Sequence, residues 1–249
     1  MSMVPNYKVE VLGTPGAAEQ RVAELVAATV RTKPDAVLGL ATGRSMIAVY
    51  AQLVRYYRAG SLSFADCTSF NLDEYCDLGP SHPASFASYM RRHLFDHVDI
   101  ATGRWHLPDP AGTPERAATF ERAIRDAGGI DLQLLGVGRN GHIGFNEPGS
   151  AFDSRTRKVI LDESTRTANA PDFPAEEVVP EAAVTMGIAT ILEAKKIVLL
   201  ATGSAKAGAL ARALCGNPGI DCPASALQTH PAVTVICDVA AAAALRVDA

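Results

Sequence analysis

The residues with chemistry to offer crowd into a few short stretches. From Ile130 the chain reads Ile-Asp-Leu-Gln-Leu-Leu-Gly-Val-Gly-Arg-Asn-Gly-His-Ile-Gly-Phe-Asn-Glu-Pro-Gly, then Ser-Ala-Phe-Asp-Ser-Arg-Thr-Arg, ending at Arg157. Asn140, His142, Asn146 and Glu147 stand close together within it. An imidazole with an amide and a carboxylate nearby has partners to fix its tautomer, the condition for moving protons near neutral pH. Asp73 and Glu74 form a second candidate, directly after an apolar run and with Asn71 just before. Paired acids at the carboxyl end of a strand suit general-base work; taken alone they read as a solvated loop. A repeated turn is the third. Leu38 to Ser45 reads LGLATGRS and Leu199 to Ser204 reads LLATGS. Both are an apolar run, a Thr-Gly and a helix start, which offers backbone N–H groups and hydroxyls to an anion. Singly, Ser45 and Ser204 read as ordinary helix caps. The repeat, with Lys206 following the second turn, points to phosphate.

Two patterns are decoys. Gly136, Gly138 and Gly141 spell a dinucleotide fingerprint, with Asp162 downstream as its acid. That fingerprint needs a helix opening at its third glycine, and Gly144, Pro148 and Gly149 forbid one. His93 and His97 have the spacing of a helical metal site. No third ligand accompanies them, so they read as a solvated helix face, and no metal is expected.

The elements that must hold these groups follow from periodicity. Strands are expected at Tyr7–Leu12, Ala36–Leu40, Cys67–Leu72, Gly103–Leu107, Asp131–Gly136, Arg155–Leu161, Ala183–Met186, Lys196–Thr202 and Val233–Asp238. Helices are expected at Ala17–Val30 with Thr14-Pro15 as its cap, and at Met46–Tyr57. Others are expected from His82 to about His97, at Pro114–Ala127, around Ile188–Ala194, and at Ser204–Cys215 and Val239–Leu245. Ala224–His230 reads as a turn or short helix. The stretch 162–179 is polar, acidic and proline-marked, and reads as a mobile flap. Strands alternating with helices argue for a single-domain, doubly wound α/β fold, with a mostly parallel sheet and helices on both faces. With no linker in view, residues 1–249 read as one domain. Open sheets of this kind place their sites in loops at the carboxyl ends of the strands.

Composition narrows the function. The chain is 249 residues long and 48% hydrophobic, enough for a substantial core. With 23 basic and 27 acidic residues, it lacks the electrostatic footprint of a nucleic-acid binder. No apolar run is long enough to span a bilayer, and Met1–Lys8 has no signal-peptide core. The five cysteines are odd in number with no C-x-x-C, so they read as reduced cytoplasmic thiols.

Several segments carry a family resemblance. They include Leu40-Ala41-Thr42-Gly43, Phe70-Asn71-Leu72-Asp73-Glu74-Tyr75, His82-Pro83 with Ser85, and Gly136 through Pro148. Ser154-Arg155-Thr156-Arg157, Thr185-Met186-Gly187, Gly203-Ser204 with Lys206, and Leu227-Gln228 with His230-Pro231 continue it. In order, and over nearly the whole chain, they resemble the glucosamine-6-phosphate deaminase (isomerising) family. The resemblance implies a modified Rossmann-type fold and an aldose–ketose isomerisation with loss of ammonia, needing neither metal nor cofactor. Glucosamine 6-phosphate and water would give fructose 6-phosphate and ammonium, a step of amino-sugar catabolism. It implies Asp73 as the base moving a proton between C2 and C1, and His142 as the ring-opening group, oriented by Asn140 and Glu147. Thr42, Gly43, Ser45 and Lys206 would hold the phosphate. The partner is then a small amino-sugar phosphate rather than nucleic acid or membrane; a homo-oligomer and the gluco or galacto preference are left open.

Three departures qualify the resemblance. Many members carry Asp where Asn140 stands. Many carry a phosphate-binding arginine in the flap where this chain has Pro171, which cannot donate a hydrogen bond. Arg44, inside the first Thr-Gly turn, is the expected replacement, because a first-turn arginine opposes the helix dipole unless an anion is present. Allosteric members use a longer C-terminus and a basic residue where Val159 stands, so no such regulation is expected. The competing readings are a 6-phosphogluconolactonase-like hydrolase and a non-catalytic sugar-phosphate sensor.

Overall fold

Short, apolar strands bounded by glycine and polar turns build the centre of the molecule. The structure, a computed structural model, describes residues 7–245; the leader reading over Met1–Asn6 lies outside them. Numbered in chain order, strands β1 (Tyr7–Leu12), β2 (Val37–Leu40), β3 (Thr68–Asn71), β4 (Asp73–Tyr75) and β5 (Trp105–His106) make up the first half. The second half holds β6 (Leu132–Gly136), β7 (Arg157–Ile160), β8 (Ala182–Thr185), β9 (Ile197–Ala201) and β10 (Val233–Asp238). Seven of them form one sheet in the order β1-β10-β9-β6-β2-β3-β5. Every pairing in it is parallel. β2 and β9 are buried throughout and β6 nearly so, as strands covered on both faces must be.

Helices α1 (Pro15–Thr32), α2 (Arg44–Arg58) and α4 (Pro114–Asp126) fall where periodicity puts them. Thr14 caps α1, its hydroxyl accepting from the Ala17 N–H, with Pro15 in the first turn as expected. α1 and α2 pack together, and α7 (Ala207–Cys215) follows the leftward run from β9 to β10. Right-handed crossovers in opposite directions place such helices on opposite faces. The direction reverses between β2 and β6, so the loops after these neighbours border one crevice. Among the described residues, no helix is long and apolar enough to cross a membrane.

Sequence pattern does not show the second sheet. β4, β8 and β7 pair antiparallel, in the order β4-β8-β7. Asp73–Tyr75, read above as a loop that follows a strand, belongs to this sheet. Only Leu72 separates β3 from β4. Its N–H donates to Leu40 O at 3.0 Å, extending the parallel ladder, while its carbonyl accepts from the Met186 N–H at 2.6 Å. The chain changes sheets across this one residue.

Two other expectations shorten. The helix opening at His82 is α3, Phe86–His93, followed by a separate 3-10 turn at Phe95–His97. The stretch 162–179 is not a bare loop: it holds α5 (Glu163–Asn169) and a 3-10 turn at Ala170–Asp172. Phe173 then joins Tyr75, Phe145, Leu161, Val179 and Ala183 in a second apolar cluster.

Glu74 explains how α3 is held. Side chains alternate along a strand, so Glu74 faces away from Asp73 and Tyr75. Its carboxylate accepts from the Tyr75, Phe86 and Ala87 N–H groups, each at 2.9 Å. Two of those are orphan donors of the first turn of α3. Glu74 is thus a structural anchor and not the second half of a catalytic pair. Removing it as Glu74→Ala should cost about 3 kcal/mol of stability, from unpaired buried N–H groups. Denaturant titration checks this; a loss under about 0.5 kcal/mol, ordinary for a surface change, overturns the assignment.

Candidate active site

The loop after β6 folds back on itself. Between Val137 and Gly149 no helix forms, and Gly141 and Gly144 take positive φ. The dinucleotide reading fails for the expected reason. Gly138 donates its N–H to His142 O at 2.9 Å, and a Cβ on Gly138 would lie 2.3 Å from the His142 imidazole. Only glycine lets the ring lie over that backbone.

This return brings Asn140, His142 and Glu147 into contact. His142 Nδ1 lies 3.3 Å from Glu147 Oε2, and Asn140 Nδ2 donates to the same oxygen at 2.6 Å. Asn140 Oδ1 accepts from the His142 backbone N–H at 3.2 Å. Asn140 therefore reaches the imidazole through Glu147 and the loop backbone, with no hydrogen bond to the ring among the described residues. The fourth member comes from the flap: the Thr165 hydroxyl donates to Glu147 Oε1. Burial pushes the Glu147 pKa up, but hydrogen bonds from His142, Thr165 and Asn140 outweigh it and bring it to about 2. Glu147 is a fixed carboxylate at working pH.

Asp73 sits in the opposite kind of environment. Its side chain is buried, and among the described residues no hydrogen bond reaches its carboxylate. Burial first, then the neighbouring Glu74 charge, raise its pKa to about 8. Thr185 stands directly opposite it across β4 and β8, with Arg157 beyond on β7, so the three side chains share one face. The Thr185 hydroxyl accepts from the Phe145 N–H at 3.0 Å, which ties the catalytic loop to this row. A Cβ on Gly144 would lie 2.9 Å from Thr185 Oγ1 and 3.5 Å from Asp73 Oδ2, so the loop passes close to the acid.

The two Thr-Gly turns leave β2 and β9, on either side of β6. Gly43 and Gly203 occupy the cap positions with positive φ and offer no capping side chain, so Ser45 and Ser204 lie inside the helical turns and do not cap them. The Tyr89 hydroxyl donates to Gly43 O at 2.7 Å, and that of Tyr50 to Ala41 O, which fixes the first turn. Asp238 accepts from the Gly203 N–H at 2.9 Å and fixes the second. Thr42 and Ser45 make no side-chain hydrogen bond among the described residues. Lys206 is half-buried without an acid partner among them; burial, then the nearby Arg139, pull its pKa down. Arg44 is exposed and pairs with Asp172 of the flap at 3.1 Å, next to Pro171.

His93 and His97 stay outside the site: the His93 ring lies tilted against Tyr89, centroids 4.5 Å apart, and His97 reaches Arg92 O. No cluster able to hold a metal occurs among the described residues. A cavity of about 810 Å³ at the far ends of the strands holds no candidate residue, and its Lys33 and Lys195 are tied to Asp131 at 2.6 and 2.7 Å. Sequence reading missed Thr165, Asn169 and Thr185. Their signal was available in part, since Thr165, Asn169 and Asp172 repeat at the spacing of one helical face.

Comparison with known proteins shows the family of the chain. A model of the glucosamine-6-phosphate isomerases/6-phosphogluconolactonase family matches residues 15–236. The glucosamine-6-phosphate deaminase of Rhodopirellula baltica is 50% identical over 249 residues, covering 98% of each chain. That of Geobacillus sp. (strain WCH70) is 49% identical over 221 residues, covering 88% of each. The solved structure of a monomeric glucosamine-6-phosphate deaminase superposes with a TM-score of 0.92 at 45% identity, covering 95% of this chain and 99% of its own. The 6-phosphogluconolactonase of Trypanosoma cruzi, at TM-score 0.74 and 21% identity over 99% of this chain and 98% of its own, shares the fold alone.

The Asp73 environment has a consequence for stability. Its folded pKa, about 8, exceeds the unfolded value, so the folded state keeps a proton that the unfolded chain has lost. Stability therefore falls as pH rises from about 4 to about 8. Asp73→Asn removes the buried charge without changing shape. The variant should gain on the wild type across that window, by on the order of a few kcal/mol above pH 8. Melting curves at pH 5 and pH 9 check this; a gap that does not widen with pH overturns it.

Proposed function

The chain belongs to the glucosamine-6-phosphate isomerase/6-phosphogluconolactonase family, and from that membership we propose that it converts glucosamine 6-phosphate and water to fructose 6-phosphate and ammonium. The observation that carries this is Asp73, a buried carboxylate with no donor, beside the glycine loop that holds a fixed His142–Glu147 pair. A base poised near neutral pH suits removal of a carbon-bound proton.

The steps follow from the residue types. His142 takes the proton of the ring O1 hydroxyl and returns one to O5, which opens the pyranose to the aldehyde. Glu147, a carboxylate throughout, steadies the imidazole when it holds both protons. Asp73 removes the C2 proton, made acidic by the adjacent carbonyl, and delivers it to C1, while O1 gains a proton and the C2 nitrogen gives one up. The product is the C2 imine of the ketose; water adds there and ammonia leaves, so a carbon–nitrogen bond is hydrolysed. The work of the protein is positioning and proton transfer. Free thiols at all five cysteines, and a sugar-phosphate substrate, fit a cytoplasmic role in amino-sugar breakdown.

The phosphate is assigned to the paired turns: Thr42, Gly43, Arg44 and Ser45 on one side of β6, and Lys206 on the other. Lys206, half-buried and without an acid, supports this assignment, as do the two unpaired hydroxyls. Arg44 is taken to stand in for the arginine absent at Pro171. Its guanidinium rests on Asp172 in the free chain, an exposed contact worth little, and a dianion at the turn competes for it readily.

The deciding assay is release of ammonia and fructose 6-phosphate from glucosamine 6-phosphate. A lactonase would instead open 6-phosphogluconolactone, and a sensor would bind without turnover. Asp73→Asn should abolish both deamination and solvent-deuterium exchange at C2 and C1, with analogue affinity held within a few-fold. Wild-type turnover in that variant removes Asp73 from the chemistry. For the phosphate, Arg44→Ser should raise KM at least ten-fold with kcat little changed, about the effect of one charged hydrogen bond. Arg166→Ala is the control, since Arg166 lies in the flap but donates to Val179 O. A KM raised by Arg166→Ala and untouched by Arg44→Ser overturns the role given to Arg44.

A further inference from the structure

One face of the flap touches every part of the site. Thr165, Asn169 and Asp172 follow one another at helical spacing through α5 and the 3-10 turn. Thr165 donates to Glu147, Asn169 Nδ2 donates to the Tyr75 hydroxyl at 2.8 Å, and Asp172 pairs with Arg44. Tyr75 lies on the strand that carries Asp73, and on the same face. The contacts thus end on the ring-opening group, the carbon base's strand and the phosphate turn. Of the three, only the first is made to a group in direct contact with the imidazole that transfers protons.

The geometry points to Thr165 as a positioning residue for ring opening: its hydroxyl holds the Glu147 oxygen left free by the catalytic loop, and so fixes the carboxylate plane that meets His142. The inference rests on the ring-opening role proposed above for His142 and Glu147. Oε2 already receives Asn140 and faces His142; Oε1 has Thr165 alone among the described residues. The terminal torsion of a glutamate is broad, so a carboxylate held at one oxygen turns easily. Turning it would lengthen the 3.3 Å contact to Nδ1. That contact matters most when the imidazole holds two protons, because a hydrogen bond between ions is roughly twice as strong as a neutral one. This state arises during ring opening and not in the bound ground state, so its loss falls on kcat. Thr165 is buried, which leaves little room for water to replace its hydroxyl. A helical threonine commonly turns its hydroxyl onto a carbonyl of its own helix; here it is given to Glu147.

The test compares Thr165→Val, which keeps the branched shape, with Thr165→Ala and Thr165→Ser, using glucosamine 6-phosphate and its reduced open-chain alditol. The valine and alanine variants should lose about ten-fold or more in kcat, the effect of one hydrogen bond to a charged group. KM and alditol affinity should stay within about two-fold, because neither depends on opening a ring. Serine, which restores the donor, should recover most of the lost rate. Wild-type kcat in both the valine and alanine variants, a loss that appears equally in alditol binding, or a serine variant no better than alanine each overturns the inference. Those results leave the proposed activity standing. A wild-type chain that releases no ammonia from glucosamine 6-phosphate overturns the activity, and this inference with it.

Discussion

Everything in the site depends on where the chain leaves the parallel sheet. Leu72 completes one ladder with its N–H and starts another with its carbonyl, and β4 follows at once. Three consecutive residues then face alternate ways. Asp73 looks toward the glycine loop, Glu74 turns outward to hold the first turn of α3, and Tyr75 looks inward again to the flap. A shift of one residue in this register would exchange the roles of Asp73 and Glu74. The backbone hydrogen bonds on Glu74 resist such a shift, so the anchor also fixes which way Asp73 faces.

The site then sets two carboxylates in opposed environments. Glu147 is surrounded by donors and held near a pKa of 2; Asp73 has none and is raised to about 8. Carboxyl groups driven apart in this way take different tasks, one as a constant charge and one as a group that gains and loses a proton. The same division explains Asn140. An amide there gives a hydrogen bond to Glu147, where a second carboxylate would bring like charge to the same oxygen.

The flap completes this arrangement from outside. Its apolar anchor, Phe173, packs against Tyr75 with ring centroids 5.2 Å apart, in the cluster that also holds Phe145 of the catalytic loop. Burial of that ring supplies most of the docking energy, and the polar stripe sets direction. The flap helix is short, and Asn169 at its end donates to the Tyr75 hydroxyl. Its position is therefore felt by Glu147, by the strand that carries Asp73 and by Arg44 together.

Much of this was legible in the residues alone. Parallel strands buried on both faces read as continuous apolar runs, so β2, β6 and β9 were found, with the glycine turns that end them. The loop after β6 stands out by its density of polar groups, and its glycines and Pro148 rule out a cofactor helix from sequence alone. Other features had no local signature. A three-residue strand is too short to carry a period, so β4 read as a loop and Glu74 as a partner of Asp73. The polar composition of 162–179 hid a helix, because its stability comes from Phe173 and from the ties to the site rather than from its own propensity. Nothing near Asp73 in sequence tells that its carboxylate is buried without a donor, nor near Thr165 that its hydroxyl ends on Glu147. Pattern along a chain fixes which residues share a strand or a helix face. Contacts between residues far apart in sequence fix which acid is buried, which donor meets which oxygen, and so which group can move a proton.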